Sequence, residues 1–272
     1  MKIYLDWNIL VDLYEQNLNE FCNAIINRNE KIIIPYSSIH LNEGQKYNVS
    51  HREKDIFNFI SQISKNQFLF VDPIETKIIE ITPDFVNSYE KIKNEYFSLN
   101  SKINYSEIVN LSKQIGFNKQ ELNNYNYKLI FKKLDEIIGK QEVGQKFRQD
   151  LGGNISFNNL VDVFINFIIF FILKKFPNFK NVFTDKYSSE MKIQFSLHLL
   201  NAFGYWQEKN NKINSFRLDA YHAVYGSYCD YFITNDKKLY HKIKAIYYNF
   251  KIKTEIFLLK KDYLQTIKLV SQ

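Results

Sequence analysis

The sequence predicts an α/β fold in which a parallel sheet is flanked by helices and interrupted by an inserted, mostly α-helical subdomain. Short runs that are nearly all apolar, such as KIIIP at 31–35, are typical of strands buried on both faces of a parallel sheet. Polar residues that can begin a helix follow several of these runs, which gives the strand–helix alternation of α/β proteins. Between 74 and 214 helical periodicity replaces this alternation.

The elements can be placed in order along the chain. Predicted strands occupy 2–5, 31–35, 68–71, 231–234 and 254–259. Predicted helices occupy 9–21, a segment from Ser37 or Ser38 through Glu43, a segment from Asn214 or Ser215 through Asp219, and then 237–247 and 262–269. Asn8 and the serines are the expected N-caps. Removing the insertion, 74–214, leaves 131 of the 272 residues as a discontinuous domain, 1–73 and 215–272, of compact size.

Composition indicates a soluble globular protein of the cytoplasm. The chain is 45% hydrophobic and 24% charged, and an aspartate interrupts its first apolar run, which is a poor start for a signal peptide. Cys22 and Cys229 are too few for a disulfide framework or a zinc site. The apolar stretch 160–173 is shorter than the roughly 20 residues that span a bilayer, and Asp162 and Asn166 interrupt it. We therefore expect no membrane partner.

The net charge of +7 is concentrated near the C-terminus. Residues 237–268 contain nine lysines and only two acidic residues, Glu255 and Asp262, an excess equal to that of the whole chain. A positive field of this kind just after Asp236 suits a polyanionic substrate. The alternative is a solvated lysine face without a partner.

Four carboxylates stand at similar places relative to the predicted strands and helices. Asp6 follows the first strand, Glu43 lies one turn into the helix after the second, Asp219 lies at a helix start, and Asp236 follows the strand 231–234. In open α/β sheets, ligands bind at the carboxyl ends of the strands. Converging carboxylates repel one another unless cations join them, and Mg²⁺ and Mn²⁺ prefer such oxygen ligands. These ions promote in-line phosphoryl displacement.

At these positions the chain resembles the PIN-domain (PilT N-terminus-like) nucleases. The resemblance lies in LDWN at 5–8, SSIHLNE at 37–43, DAYHA at 219–223 and FITND at 232–236. The last two segments are quite specific, whereas D-x-N after a first strand is weak alone. The resemblance covers 1–72 and 215–264. It implies a parallel sheet flanked by helices and metal-dependent hydrolysis of RNA.

The resemblance also implies roles for single residues. The catalytic, metal-holding residues would be Asp6, Glu43, Asp219 and Asp236. Residues that orient these ligands or water from behind would be Asn8, Thr234, His222 and Asp230, although a structural hydrogen bond for His222 and a helix-ending role for Asp230 are the favoured alternatives. Trp7 stands where the family often has a small hydroxylated residue, and the insertion is far larger than in the short toxin members. The first departure leaves the hydrogen bonding beside the metal open, and the second leaves the substrate open.

The expected activity is that of an endoribonuclease that cuts single-stranded RNA or a structured RNA such as tRNA. Water activated by the ions would attack phosphorus and leave a 5′-phosphate and a 3′-hydroxyl, while Lys237, Lys238 and Lys242 attract the backbone. A toxin, a phage-defence effector and an RNA-maturation enzyme all fit this activity. An antitoxin or another protein would contact the insertion, and a homodimer is a further alternative.

Two other functions compete with this expectation. A haloacid-dehalogenase-like phosphatase also begins with a strand and an aspartate, but it needs a second acid two residues later, where Asn8 stands. A catalytically inactive PIN-like module would bind RNA or protein, with the insertion as its working surface. Single acids also have plain structural readings, since Asp6 and Asp236 can cap helices and Asp219 can complement a helix dipole. The presence of all four acids together favours the enzyme.

Overall fold

The computed structural model describes residues 1–50, 56–71, 76–80, 122–140, 158, 161–162, 185–208 and 213–271. The chain divides into two compact units. The first comprises Met1–Ile103, Tyr221–Tyr240 and Lys253–Gln272, and the second comprises Asn104–Ala220 and His241–Ile252. Much of the predicted insertion, including nearly all of 160–173, lies outside the described residues. In the part that is described, no helix has both the length and the apolar character needed to cross a bilayer.

Five strands are described, and three of them form a parallel sheet in the first unit. The strands are β1 (Ile3–Leu5), β2 (Gln67–Val71), β3 (Thr76–Glu80), β4 (Tyr231–Thr234) and β5 (Glu255–Leu258). The parallel sheet has the order β1-β4-β5, with Tyr4 paired with Phe232 and Phe232 with Ile256. This arrangement confirms the predicted α/β class. It also brings the ends of β1 and β4 side by side, where Asp6 and Asp236 follow them.

Nine α-helices are described in these ranges. They are α1 (Trp7–Tyr14), α2 (Asn19–Ile26), α3 (Ser38–Ser50), α4 (Ile56–Ser64), α5 (Ile130–Lys140), α6 (Asp185–Ala202), α7 (Ile213–Gly226), α8 (Lys237–Asn249) and α9 (Tyr263–Val270). A 3-10 turn at Tyr127–Leu129 precedes α5. The core of the first unit joins strand residues to helix residues such as Leu10, Phe21 and Ile60, so β1 is buried on both faces.

The start of α1 differs from the prediction. Asp6, not Asn8, is the N-cap, because its backbone is extended (φ −66°, ψ 154°) and its side chain accepts a hydrogen bond from the Trp7 amide. Asn8 lies inside the first turn and is exposed. The single helix predicted at 9–21 is also wrong, since α1 ends at Tyr14 and Gln16 adopts a positive φ of 60° before α2 begins.

Two strand predictions need correction. The predicted strand at 31–35 is a single parallel bridge between Ile33 and Lys2, in part because Pro35 has no amide hydrogen to extend the ladder. The helical insertion was predicted to begin at residue 74, but 76–80 forms β3, which pairs antiparallel with β2. The β-branched residues in the sequence TKII favour a strand. The prediction missed them because it followed the helical periodicity of the longer segment.

The second unit has its own buried core and a buried ion pair. Leu197, Leu200 and Ile243 are fully buried. Lys242 on α8 is also completely buried, and its Nζ lies 3.1 Å from Oε1 of Glu208. Because a buried ammonium needs a partner to remain charged, this pair is a fixed part of the unit's interior.

Candidate functional site

The site is built around Asp6, which lies at the carboxyl end of β1. Its side chain is only 1% exposed. Oδ1 accepts a hydrogen bond from the Trp7 amide at 2.9 Å, and Oδ2 accepts one from the Thr234 hydroxyl at 2.6 Å. The Asp6 amide in turn donates to the Ile233 carbonyl at 2.9 Å. Sheet pairing and helix capping therefore hold one carboxylate in a fixed position at the sheet edge.

Glu43 reaches the same edge from α3. Its Oε2 lies 2.6 Å from Nε2 of His222 on α7, and that same Nε2 is 3.9 Å from Oδ1 of Asp6. A carboxylate only accepts hydrogen bonds, so Nε2 carries a hydrogen and donates the hydrogen bond to Glu43. Gly44 lets α3 approach α4 closely, because a Cβ at that position would lie 2.6 Å from Cε1 of Phe57. The two distances from Nε2 place His222 between the carboxylates of Glu43 and Asp6, which are 37 residues apart in sequence.

A buried polar chain continues behind His222. Its Nδ1 lies 2.9 Å from the Tyr4 hydroxyl, which is itself 2.8 Å from Oγ of Ser37. Burial raises the pKa of Tyr4 well above its ordinary value, so the hydroxyl keeps its proton. When His222 is neutral, Tyr4 donates to Nδ1 and accepts from Ser37. The chain thus fixes the orientation of the imidazole that holds Glu43.

His40 supports the end of β1 from the first turns of α3. Its Nε2 donates to the Leu5 carbonyl at 2.8 Å, and its Nδ1 accepts from the Ser37 amide at 3.0 Å. These contacts define a neutral tautomer. Burial, together with the charge of His222, lowers the pKa of His40 well below its ordinary value, which agrees with that tautomer. The residue before Asp6 is therefore anchored by a side chain that stays uncharged.

Asp236 joins the site through Thr234. The Thr234 hydroxyl, which donates to Asp6, accepts a hydrogen bond from the Asp236 amide at 2.9 Å. Oδ1 of Asp236 accepts from the amides of Lys238 at 2.7 Å and Leu239 at 2.9 Å, which caps α8. The cap does not use Oδ2, so this oxygen can face a ligand while Oδ1 holds the helix.

Asn235 adds an amide oxygen at the same strand end. Its Nδ2 donates to Oδ2 of Asp12 at 2.8 Å, and because a carboxylate only accepts, this contact fixes which way the amide points. Its Oδ1 is buried and has no hydrogen-bond partner in the described structure. A buried acceptor without a donor is costly, so a water or a cation at this position would be favourable.

The electrostatics of the site favour a cation. Burial raises the pKa of Asp6, the carboxylates of Glu43 and Asp236 raise it further, and His222 and Thr234 lower it. Two carboxylates thus act on the buried Asp6, and a single imidazole opposes them. Carboxylate and amide oxygens are the donors that Mg²⁺ and Mn²⁺ prefer, so the residues fit such an ion by their chemistry. In the described part of the chain, however, no three His, Cys, Asp or Glu side chains are already arranged to hold a metal ion. Glu43 instead faces His222.

Two further residues predicted for the site, Asp219 and Asn8, lie on α7 and α1. Asp219 belongs to the second unit, is half-buried and lies on α7 three residues before His222. Residues with that spacing share one face of a helix. Asp219 does not stand at a helix start, as predicted, because α7 already begins at Ile213. Asn8 is exposed on the first turn of α1, and the structure shows it in none of the contacts that hold the site.

Asp230 was predicted to support the ligands, and the structure contradicts this. It precedes β4, so it lies at the amino end of the sheet, opposite the end where Asp6 lies. Its Oδ2 accepts from the Lys2 amide at 2.7 Å, and its own amide donates to the Lys2 carbonyl at 3.0 Å. Asp230 therefore fixes the start of β1 against β4, and the helix-ending alternative is closer to what the structure shows.

The predicted substrate lysines differ in accessibility. Lys237 is exposed and Lys238 is half-buried on the first turn of α8. Lys242 is fully buried and paired with Glu208. Its predicted role in attracting an RNA backbone is therefore wrong, because its ammonium group is enclosed and paired, whereas Lys237 is exposed.

The sequence analysis placed none of four residues in the site, although it made Ser37 an expected N-cap: Tyr4, Ser37, His40 and Asn235. One signal was available for Tyr4, since a tyrosine inside a short apolar strand needs a partner for its hydroxyl when it is buried. The partners themselves come from distant segments.

Comparison of the chain with models of protein families, with curated proteins and with solved structures gave no match in any of the three.

Proposed function

We propose that this chain is a PIN-like, Mg²⁺- or Mn²⁺-dependent endoribonuclease. One observation carries the proposal: Asp6, Glu43 and Asp236 come from three separate segments and converge at the carboxyl edge of the parallel sheet. A fold gains nothing in stability from gathering carboxylates around a buried aspartate, so such a cluster indicates a functional site. The edge is also where open α/β sheets bind ligands.

Each residue has a role in this proposal. Asp6, Glu43 and Asp236 would hold the ions, which activate water and stabilise charge on the scissile phosphate. Thr234 orients Asp6, and His222 orients Glu43. The buried oxygen of Asn235 is a further donor at this edge. Because His222 is 1% exposed, we assign it a positioning role rather than contact with substrate.

RNA as substrate is supported by charge. Lys237 and Lys238 follow Asp236 directly at the start of α8, and their ammonium groups would attract a phosphate backbone. The N-terminus of α8 adds a partial positive charge at the same place. Substrate would therefore be drawn toward the carboxylates by groups that are adjacent to them in the chain.

The test is a cleavage assay with the purified full chain and end-labelled single-stranded RNA, in Mn²⁺ or in EDTA. We expect cleavage only with the metal, with products that end in a 5′-phosphate and a 3′-hydroxyl. Asp6→Asn and Asp236→Asn should each lower the rate by at least about 100-fold, which corresponds to about 2.7 kcal/mol of lost transition-state stabilisation. Asp230→Asn is the matched control, since it changes a carboxylate at the opposite end of the same sheet and should cleave normally.

The inactive binding module is the second candidate, and one observation favours it: the described side chains hold no complete ligand arrangement, because Glu43 faces His222. Its signature would be RNA binding without cleavage of any RNA or DNA and without metal binding by calorimetry.

Cleavage that persists in EDTA, or that Asp6→Asn leaves unchanged, would also contradict the enzyme proposed above.

A further inference from the structure

The second unit carries a compact group of two tyrosines and two lysines, which we call the tyrosine–lysine patch: Tyr127, Lys128, Lys244 and Tyr248. The two rings meet edge to face, with centroids 5.9 Å apart and planes at 86°. Lys128 Nζ lies 6.0 Å from the Tyr127 ring and 5.7 Å from the Tyr248 ring, and Lys244 Nζ lies 5.4 Å from the Tyr127 ring. Ammonium groups and aromatic rings therefore alternate over a short distance.

The patch is open to solvent. Tyr248 is 52% exposed, one of the most exposed large apolar side chains in the described residues. Leu129, which follows Lys128 in the 3-10 turn, is 46% exposed. Lys128 is exposed, while Tyr127 and Lys244 are half-buried. Cation–π contacts of this kind hold the lysines over the rings without removing either from water. The Tyr248 ring consequently remains available to a second aromatic group.

This combination selects one class of partner. Single-stranded nucleic acids stack bases on exposed aromatic rings and place phosphates on neighbouring cations. An apolar protein surface would have to bury the two ammonium groups, which is unfavourable. An acidic protein surface would pair with the lysines but would make no use of the rings. Lys244 belongs to the lysine-rich segment 237–268 that carries the net positive charge of the chain, which favours a polyanion.

We propose that the tyrosine–lysine patch is a docking surface for single-stranded RNA, with a base stacked on Tyr248 and phosphates on Lys128 and Lys244. It rests on the proposed function only in naming RNA as the nucleic acid. All four residues belong to the second unit, and none of them is a carboxylate assigned to cleavage.

The test measures binding by fluorescence anisotropy of a labelled oligouridylate and of an abasic strand of equal length. The protein is the full chain with Asp6→Asn, so that the probe is not cut. Tyr248→Ala should weaken oligouridylate binding about 5- to 100-fold, the usual effect of losing one base–aromatic stack. It should leave the abasic strand nearly unaffected. Tyr248→Phe keeps the ring and should bind like the parent, which also controls for folding.

The lysines have a separate readout. Lys128→Gln should weaken binding to both strands and reduce the slope of log affinity against log salt by about 0.7, the value for one phosphate contact with a single strand. Lys260→Gln is the matched control, because Lys260 is an exposed lysine outside the patch. A smaller effect of Lys260→Gln would show that RNA binding depends on the position of the lysine rather than on the overall charge of the chain.

Several results would overturn the docking surface. They are a parent that does not bind single-stranded RNA, a Tyr248→Ala variant that binds as tightly as Tyr248→Phe, and equal effects of Lys128→Gln and Lys260→Gln. If the patch instead binds an acidic protein, none of these substitutions would change the affinity for RNA. That result would also overturn the proposal. Failure of the proposed function looks different: RNA is never cleaved, yet Tyr248→Ala still weakens its binding.

Discussion

At the scale of single residues, the buried Asp6 carboxylate is stabilised by donors that come from two other segments. The Trp7 amide and the Thr234 hydroxyl each donate to one oxygen. These bonds offset part of the cost of burial, yet burial keeps the pKa of Asp6 raised, and the negative charges of Glu43 and Asp236 raise it further. The site therefore contains unbalanced charge in the absence of a cation, which is common where stability is sacrificed for function.

His222 provides the first prediction. We expect His222→Ala to lower cleavage about 10- to 100-fold, because residues that orient metal ligands contribute to that extent. It removes the donor that holds Glu43 and one of the hydrogen-bond partners of the Tyr4 hydroxyl, which keeps Ser37. His222→Gln is the matched variant, since its amide can still donate to Glu43 and should retain part of the rate. The measurement is cleavage of labelled RNA at several Mn²⁺ concentrations.

The Mn²⁺ dependence separates positioning from general damage. If His222 orients Glu43, the alanine variant should need more Mn²⁺ for half-maximal rate, and the glutamine variant should need an intermediate amount. An alanine variant with a normal Mn²⁺ requirement and an intact thermal transition would contradict the positioning role.

The residues around Asp6 also show what a sequence reveals at this scale. Asp6 and Asp236 were predictable because each follows an apolar run at a strand end. Thr234 was predictable as a neighbour of Asp236, and its contacts match the orienting role. The link from His222 through Tyr4 to Ser37 was not, because it joins residues up to 218 positions apart whose contact depends on the packing of α3 and α7 around β1.

At the scale of secondary-structure elements, Asp236 has two roles that a pair of substitutions can separate. Its Oδ1 caps α8, and we propose that its charge binds the ions. Asp236→Asn keeps a good N-cap and should leave the free energy of unfolding nearly unchanged. Asp236→Ala removes the cap and should lower that free energy by about 0.5–2 kcal/mol. Both should abolish metal-dependent cleavage.

Urea denaturation and the cleavage assay together test this separation. An asparagine variant that cleaves at the parental rate would reduce Asp236 to a helix cap. If the asparagine variant is instead as unstable as the alanine variant, Asp236 stabilises α8 through its charge rather than through its hydrogen-bonded cap.

Further along α8, Lys242 gives a prediction about stability alone. Removing one partner of a buried ion pair leaves the other charge uncompensated, so Lys242→Ala should lower the free energy of unfolding by about 3–5 kcal/mol. Lys242→Met combined with Glu208→Gln should recover most of this loss, because neither charge then remains buried. Lys237→Ala, on the exposed side of the same helix, is the control and should change stability by less than about 0.5 kcal/mol. A small effect of Lys242→Ala would mean that this lysine is accessible after all.

Elements with a strong local signal matched the sequence. The strands at 231–234 and 255–258 and the helix that begins at Lys237 lie where they were predicted. The segment 31–35 did not form a strand because a strand needs a neighbour with matching donors, and Pro35 removes one. The hairpin of β2 and β3 was missed because its pairing depends on the partner strand rather than on helical or apolar periodicity.

At the scale of the whole molecule, the two units divide the chain differently from the predicted insertion. The second unit takes up His241–Ile252, the later part of α8 and the segment that follows it. Sequence periodicity does not show this boundary, because α8 continues through it without a break. The patch formed by Lys244 and Tyr248 with Tyr127 and Lys128 could therefore not be foreseen from the predicted domain limits.

The same scale gives a prediction about metal and stability. A cation that binds only the folded chain stabilises it by mass action, by about 2.7 kcal/mol at a concentration 100 times its dissociation constant. We expect Mn²⁺ to raise the thermal midpoint of the parent and of Asp230→Asn, which keeps the carboxyl edge intact, but not that of Asp6→Asn. In EDTA, Asp6→Asn should be at least as stable as the parent, because it removes a buried charge that two carboxylates repel. Equal Mn²⁺ shifts in all three proteins would place the cation away from Asp6.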